Sequence, residues 1–134
     1  MVDLDKLLTI GFKKVGQWSI LENKLSLNIF AEETSRNVLY SFVVDNQPKY
    51  IGKTTQQLKR RMYGYQNPGP SQTTNIRNNA EIKLALESSK IVELYVLPDN
   101  GLLHLGEFHV NLAAGLEDSI TKTLKPEWNM QGKL

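Results

Sequence analysis

The chain has 134 residues, no cysteine and a formal net charge of only +2. That length is one ordinary domain with a single hydrophobic core, and the missing cysteines exclude disulfides and thiolate metal sites. No apolar run is long enough to span a bilayer and no signal peptide opens the chain, so a soluble protein of a reducing cytoplasm, with no membrane partner, is expected.

Residues 1–36 read as an amino-terminal extension of a domain over 37–134, the two forming one compact unit. Leu4, Leu7 and Leu8 begin a short helix, with Asp3 as a candidate cap. Residues 18–21 and 25–30 flank Glu22-Asn23-Lys24 as a small hairpin, and 32–36 is a polar connector. The arm has four open uses: covering the core, extending the sheet, touching nucleic acid or making an oligomer contact.

The stretch 38–65 organises the rest. An apolar run over 38–44 meets a polar, proline-bearing turn at 45–48, and the chain returns through Lys49, Tyr50, Ile51 and Gly52. A three-residue loop at 45–47 puts Tyr40 opposite Gly52 and both tyrosines on one sheet face; a two-residue loop puts them on opposite faces. Gly52 either lets a phosphate approach the backbone or simply ends a strand.

Charge is concentrated here. From 46 to 80 there is no acidic residue, against the basic Lys49, Lys53, Lys59, Arg60, Arg61 and Arg77; the remainder has ten basic and fourteen acidic residues. Such a block is an anion-facing surface or a solvated helix face. Helical phase separates two neighbours within it. Counting about 100° per residue from Leu58, Met62 and Tyr65 fall at roughly 40° and 340° and define the packed stripe. Arg61, at roughly 300°, lies beside that stripe, whereas Arg60, at roughly 200°, faces solvent or a phosphate backbone.

Residues 65–79, with Asn67-Pro68-Gly69-Pro70, read as a polar loop in which Arg77 is a candidate DNA contact. A second helix starts at Asn78 or Asn79 and ends near Ser88-Ser89, and 91–97 is a third strand. His104 and His109, in and beside a turn-rich connection, have no partners at metal-ligand spacing and read as structural or surface histidines. The last helix runs over 111–124, stopping before Pro126. Leu112, Leu116, Ile120 and Leu124 form its apolar stripe, with Glu117 on the edge, at about 140°, and Asp118 toward solvent, at about 240°. A carboxylate turned toward the core needs a cation, a proton or hydrogen-bond partners; a lysine, an arginine or a metal ion would serve.

Tyr40, ten residues before Tyr50-Ile51-Gly52, followed by a basic helix with Arg61 four before Tyr65, and then Glu117 twelve before Asn129, resembles the GIY-YIG nuclease family. The likeness covers 38–129 in order, and the tail 125–134 is similar to small phage endonucleases of that family. The first motif departs from it, with Val38-Leu39-Tyr40 in place of Gly-Ile-Tyr. The resemblance implies an α+β fold with a small, mainly antiparallel three-stranded sheet flanked by helices. It also implies hydrolysis of DNA phosphodiesters with Mg²⁺, or Mn²⁺ as substitute. Glu117 is then the metal ligand, Arg61 the charge stabiliser, and Tyr40 or Tyr50 the activator of water, its pKa lowered by nearby cations. Gly52, Lys53, Arg60 and Tyr65 are expected at the phosphates and Asn129 around the glutamate. One motif set means one site, so a monomer nicks and a homodimer cuts both strands. The alternatives are an inert nucleic-acid-binding module on the same scaffold, or a nuclease of RNA or branched DNA.

Overall fold

The computed structural model describes residues 2–99, 101 and 103–130, so the last four residues of the phage-like tail lie outside it. Five antiparallel strands form the main sheet: β1 (Lys13–Leu21), β2 (Lys24–Ile29), β3 (Val38–Val44), β4 (Gln47–Thr54) and β5 (Val92–Pro98), in the order β2-β1-β5-β3-β4. The expected three-stranded sheet is therefore wrong. The amino-terminal hairpin supplies the other two strands, because β1 pairs with β5 from Lys13↔Val96 to Gln17↔Glu93. Its turn, Glu22-Asn23, has φ of 52° and 64°, the left-handed pair of a tight hairpin. A second, two-stranded ribbon joins β6 (His104–Leu105) to β7 (Phe108–His109).

The helices are α1 (Asp3–Thr9), α2 (Leu58–Gln66), α3 (Thr73–Glu87) and α4 (Leu112–Leu124), followed by a 3₁₀ turn, Glu127–Asn129. None is long and apolar enough to cross a membrane. They divide between the two faces of the sheet. Alternation along β3 sends Tyr40 and Phe42 to one side, where Trp18, Leu25, Leu94 and Val96 meet Leu58, Met62 and Tyr65 of α2 and Ile82 and Ala85 of α3. Leu39, Ile51 and Leu97 point to the other side, against Leu7 of α1, Phe12, and Ala113 and Ile120 of α4. Trp128 packs with the first group although α4 belongs to the second. The chain after α4 therefore wraps round the free edge of β4.

Two local readings change. Helix α3 begins at Thr73, earlier than Asn78, so the connection from α2 covers only 67–72. Its first turns bury Asn75, Asn78 and Asn79 where a helix normally shows apolar residues, so apolar periodicity finds no signal there. The 32–36 connector also does more than connect. Gln57, at the α2 N-cap, makes no side-chain cap, and the amides of Leu58 and Lys59 donate instead to the carbonyls of Ser35 and Glu33, both at 2.9 Å.

Candidate functional site

The hairpin β3–β4 sets the site through its register. Val44 pairs with Gln47 across a two-residue Asp45-Asn46 turn, both at positive φ (45° and 67°). A two-residue turn alone would separate the tyrosines. The register then slips by one residue between Val43↔Pro48 and Phe42↔Tyr50, leaving Lys49 as the extra residue of a bulge. Beyond it Tyr40 stands opposite Gly52, and the Tyr40 and Tyr50 rings lie on one face with centroids 6.3 Å apart. The bulged Lys49 reaches Glu127 of the 3₁₀ turn at 2.8 Å, a contact that holds the Glu127 carboxyl below its usual range.

Arg61 occupies the place that helical phase assigned it, partly buried beside the stripe of Leu58, Met62 and Tyr65, while Arg60 is exposed. Its guanidinium lies over the Tyr65 ring, 4.1 Å from the centroid, and Nη2 donates to the Tyr65 hydroxyl at 2.7 Å. The Tyr65 hydroxyl also bonds the Tyr40 hydroxyl at 2.6 Å. Tyr65 is fully buried with no other hydroxyl partner among the described residues, so satisfying both of its bonds makes it accept from Arg61 and donate to Tyr40. Burial pushes both hydroxyls well above the ordinary tyrosine pKa, and the Arg61 charge offsets only part of that. The expectation that cations lower a tyrosine pKa is thus corrected for Tyr40, which keeps its proton.

Gly52 has a steric reason to be glycine: a Cβ there would lie 2.6 Å from the Tyr40 Cζ and hydroxyl oxygen. The neighbouring Ile51 turns its amide and carbonyl to the open edge of β4, and Asn129 takes both. Its Oδ1 accepts from the Ile51 N–H and its Nδ2 donates to the Ile51 carbonyl, each at 2.8 Å. The asparagine side chain thus stands in for a neighbouring strand and holds the segment between Tyr50 and Gly52 in place.

Lys53 turns to the α4 side, and its Nζ lies 4.0 Å from Oε1 of Glu117. Helix α4 starts at an Asn111 cap whose side chain accepts from the Ala114 amide at 3.1 Å. Ala113 and Ile120 are buried and Glu117 sits at the rim of the apolar stripe, with 30 % of its side chain exposed. Asp118 is solvent-facing and pairs with Lys122 at 3.0 Å. Among the described residues the Glu117 carboxylate accepts no hydrogen bond, and Lys53 is its one ion-pair partner. Among the described residues no group of three His, Cys, Asp or Glu is placed to hold a metal there. A lone carboxylate with unused lone pairs still suits Mg²⁺, which keeps waters and takes substrate phosphate oxygens.

Two clefts meet at Arg61. One, of about 370 Å³, runs past Lys53, Thr55 and Gln56 to Asn111 and Ala114 at the start of α4. The other, of about 810 Å³, follows Arg60, Tyr63 and Gly64 to the first turn of α3. Tyr40, Tyr50, Gly52, Arg61 and Tyr65 are thus gathered on one face of the hairpin, Lys53 and Glu117 meet at the other, and Asn129 sits on the edge between. Missed by sequence reasoning are Asn75, which accepts from Arg61 Nη1 at 3.0 Å, and Asn79, which donates to the Tyr65 carbonyl at 2.8 Å. Their spacing on one helix face was the available signal. His104 and His109 are exposed, facing each other across the β6–β7 ribbon, and Asp99 lies 3.3 Å from His109.

No protein-family model matches the sequence, and neither does any curated protein. Solved structures do share the fold. Endonuclease II of bacteriophage T4, solved as a glutamate-to-alanine mutant, is 22% identical with a TM-score of 0.71, over 94% of this chain and 97% of that one. The restriction endonuclease HPY188I, solved in complex with product DNA, is 18% identical with a TM-score of 0.54, over 89% and 76%.

Proposed function

We propose that the chain is a divalent-metal-dependent endonuclease of the GIY-YIG type, hydrolysing DNA phosphodiesters at one site per chain. One observation carries the reading. An arginine with no carboxylate partner among the described residues is held at the junction of two clefts, on the same strand–helix unit that presents a lysine to an otherwise unbonded carboxylate. The two structures compared above are named as endonucleases, one of them bound to product DNA.

In this reading Arg61 receives the non-bridging oxygens of the scissile phosphate, where its charge stabilises the transition state. Tyr65 orients it. Tyr40 stays protonated and, accepting from Tyr65, completes the buried pair of hydroxyls that backs Arg61. Tyr50, half-exposed on the same face, is the tyrosine that meets water and is assigned its activation. Lys53 and Arg60 contact flanking phosphates, Gly52 leaves room for the Tyr40 ring, and Asn129 fixes the strand that carries Gly52 and Lys53. Glu117 would hold Mg²⁺ or Mn²⁺, which when bound polarises the phosphate and stabilises the leaving oxygen.

Supercoiled plasmid incubated with and without Mg²⁺ or Mn²⁺ tests this. Metal-dependent open circles appear first and linear DNA later, with a linear fraction that grows with protein concentration if two copies combine for double-strand cleavage. Binding without nicking under any divalent ion marks an inert binding module instead. Cleavage confined to RNA or branched DNA moves the substrate class.

A further inference from the structure

We propose that Asn75 is a positioning residue of this site, a neutral amide that fixes the Arg61 guanidinium while leaving its charge uncancelled, with Gly64 keeping the space the pair needs. The role in cleavage rests on the nuclease reading; the clamp itself rests on the geometry.

Asn75 is 8% exposed and its Oδ1 accepts from Arg61 Nη1 at 3.0 Å. Its Nδ2 donates to Oε1 of Gln72 at 3.1 Å, and the same Oε1 accepts from the Gly69 amide at 2.8 Å. Chemistry fixes this orientation, because an arginine only donates and the Gln72 oxygen is already an acceptor. The guanidinium is thereby held at Nη1 by Asn75, at Nη2 by the Tyr65 hydroxyl, and across its face by the Tyr65 ring. Every one of these partners is neutral. Buried or half-buried arginines are ordinarily satisfied by carboxylates, which bind bidentately but cancel the charge. Here the first turn of α3 supplies an amide, backed by a second amide and a backbone N–H from the α2–α3 connection, so the guanidinium is oriented and remains a full cation toward the clefts.

Gly64 is an independent observation for the same device. A Cβ there would lie 3.2 Å from Asn75 Nδ2 and 3.4 Å from Arg61 Nη1. A glycine inside a helix is costly relative to alanine, and no positive φ at this position requires it. What the missing Cβ leaves free is the seat of the Arg61–Asn75 hydrogen bond.

The test compares wild type, Asn75→Asp and Gly64→Ala for thermal stability, for steady-state cleavage of a duplex oligonucleotide with Mg²⁺, and for the salt dependence of duplex binding. Asn75→Asp exchanges the amide for an ion pair with Arg61 and should keep a Tm near wild type, the new pair offsetting the lost Gln72 contact. Its kcat should fall by about 10²-fold, as for loss of a transition-state donor. The slope of log Kd against log salt should become shallower by about one, as for loss of one phosphate-facing cation. Gly64→Ala should lower kcat roughly tenfold, about 1.4 kcal/mol, with Tm little changed, the helix preference of alanine offsetting the crowding of Asn75 and Arg61. A loss of kcat without a matching loss of Tm is what a merely structural role does not produce. Wild-type kcat and salt slope in a folded Asn75→Asp overturn the proposal. If that variant fails to fold, wild-type kcat in Gly64→Ala overturns it and a reduced kcat at undiminished Tm supports it. If the wild-type protein cleaves no nucleic acid, the nuclease reading has failed. The clamp is then decided by NMR of the Arg61 side chain: separate Nη resonances in wild type that merge in Asn75→Ala support it, and identical spectra overturn it.

Discussion

The two sides of strand β4 are built on opposite principles. Toward α2 and α3, Tyr40, Tyr65, Arg61 and Asn75 form a continuous chain of hydrogen bonds, buried at the two tyrosines and part-buried at Arg61, each partner supplied by the protein. Toward α4, Glu117 and Lys53 face each other at 4.0 Å, both partly exposed and loosely tied. The first side is set before any ligand arrives, since buried polar groups must be satisfied within the fold. In the proposed nuclease reading the second is left for water, phosphate and a cation to complete. A phosphoryl-transfer site gains from that division, because preorganised charge costs no rearrangement during reaction, whereas an ion needs open coordination positions.

Breaking the open side should have the largest effect. Glu117→Gln should lower plasmid nicking roughly 10³-fold or more, the loss of several kcal/mol of metal-supplied stabilisation, with Tm almost unchanged because the side chain is a rim residue. Wild-type turnover under saturating Mg²⁺ would take Glu117 out of the mechanism. On the ordered side, Arg61→Ala should lose about 10²-fold in kcat and Arg60→Ala only a few-fold. Equal losses would mean that burial beside Tyr65 has no catalytic meaning.

Asn129→Ala tests the edge shared by both sides. It leaves the amide and carbonyl of Ile51 unpaired by the tail, which should cost about 1–3 kcal/mol in chemical denaturation and speed amide exchange at Ile51. Unchanged protection at that amide would contradict the strand-like role.

The smallest effect separates the sides by pH. Tyr40 and Tyr65 have folded pKa values raised above the ordinary value of 10.0, so the unfolded chain loses their protons first as the pH rises. Their stabilising contribution is complete below about pH 10 and is lost above it, at about 1.4 kcal/mol per pH unit for each tyrosine. Tyr65→Phe should therefore flatten the alkaline fall of stability measured by urea titration between about pH 10 and 11. An unaltered slope would mean that Tyr65 ionises as readily folded as unfolded.

Sequence alone determined which side chains face inward wherever an amphipathic period was present. Phase chose Arg61 over Arg60 and Glu117 over Asp118, and turn chemistry located the hairpins, because these are properties of a few consecutive residues. Tertiary structure decided the rest. The amino-terminal arm became two strands of the main sheet because β1 found β5 far along the chain, a pairing that local pattern does not encode. Tyr40 reached Gly52 only because the Lys49 bulge corrected a two-residue turn. Asn75, Asn78 and Asn79 look like loop or helix start in the sequence because a buried polar face carries no apolar period; Asn75 and Asn79 are satisfied by Arg61 and the Tyr65 carbonyl on another helix. Local periodicity shows which face of an element is turned from water, but the partners that make burial affordable for a polar group are chosen only when distant elements come together.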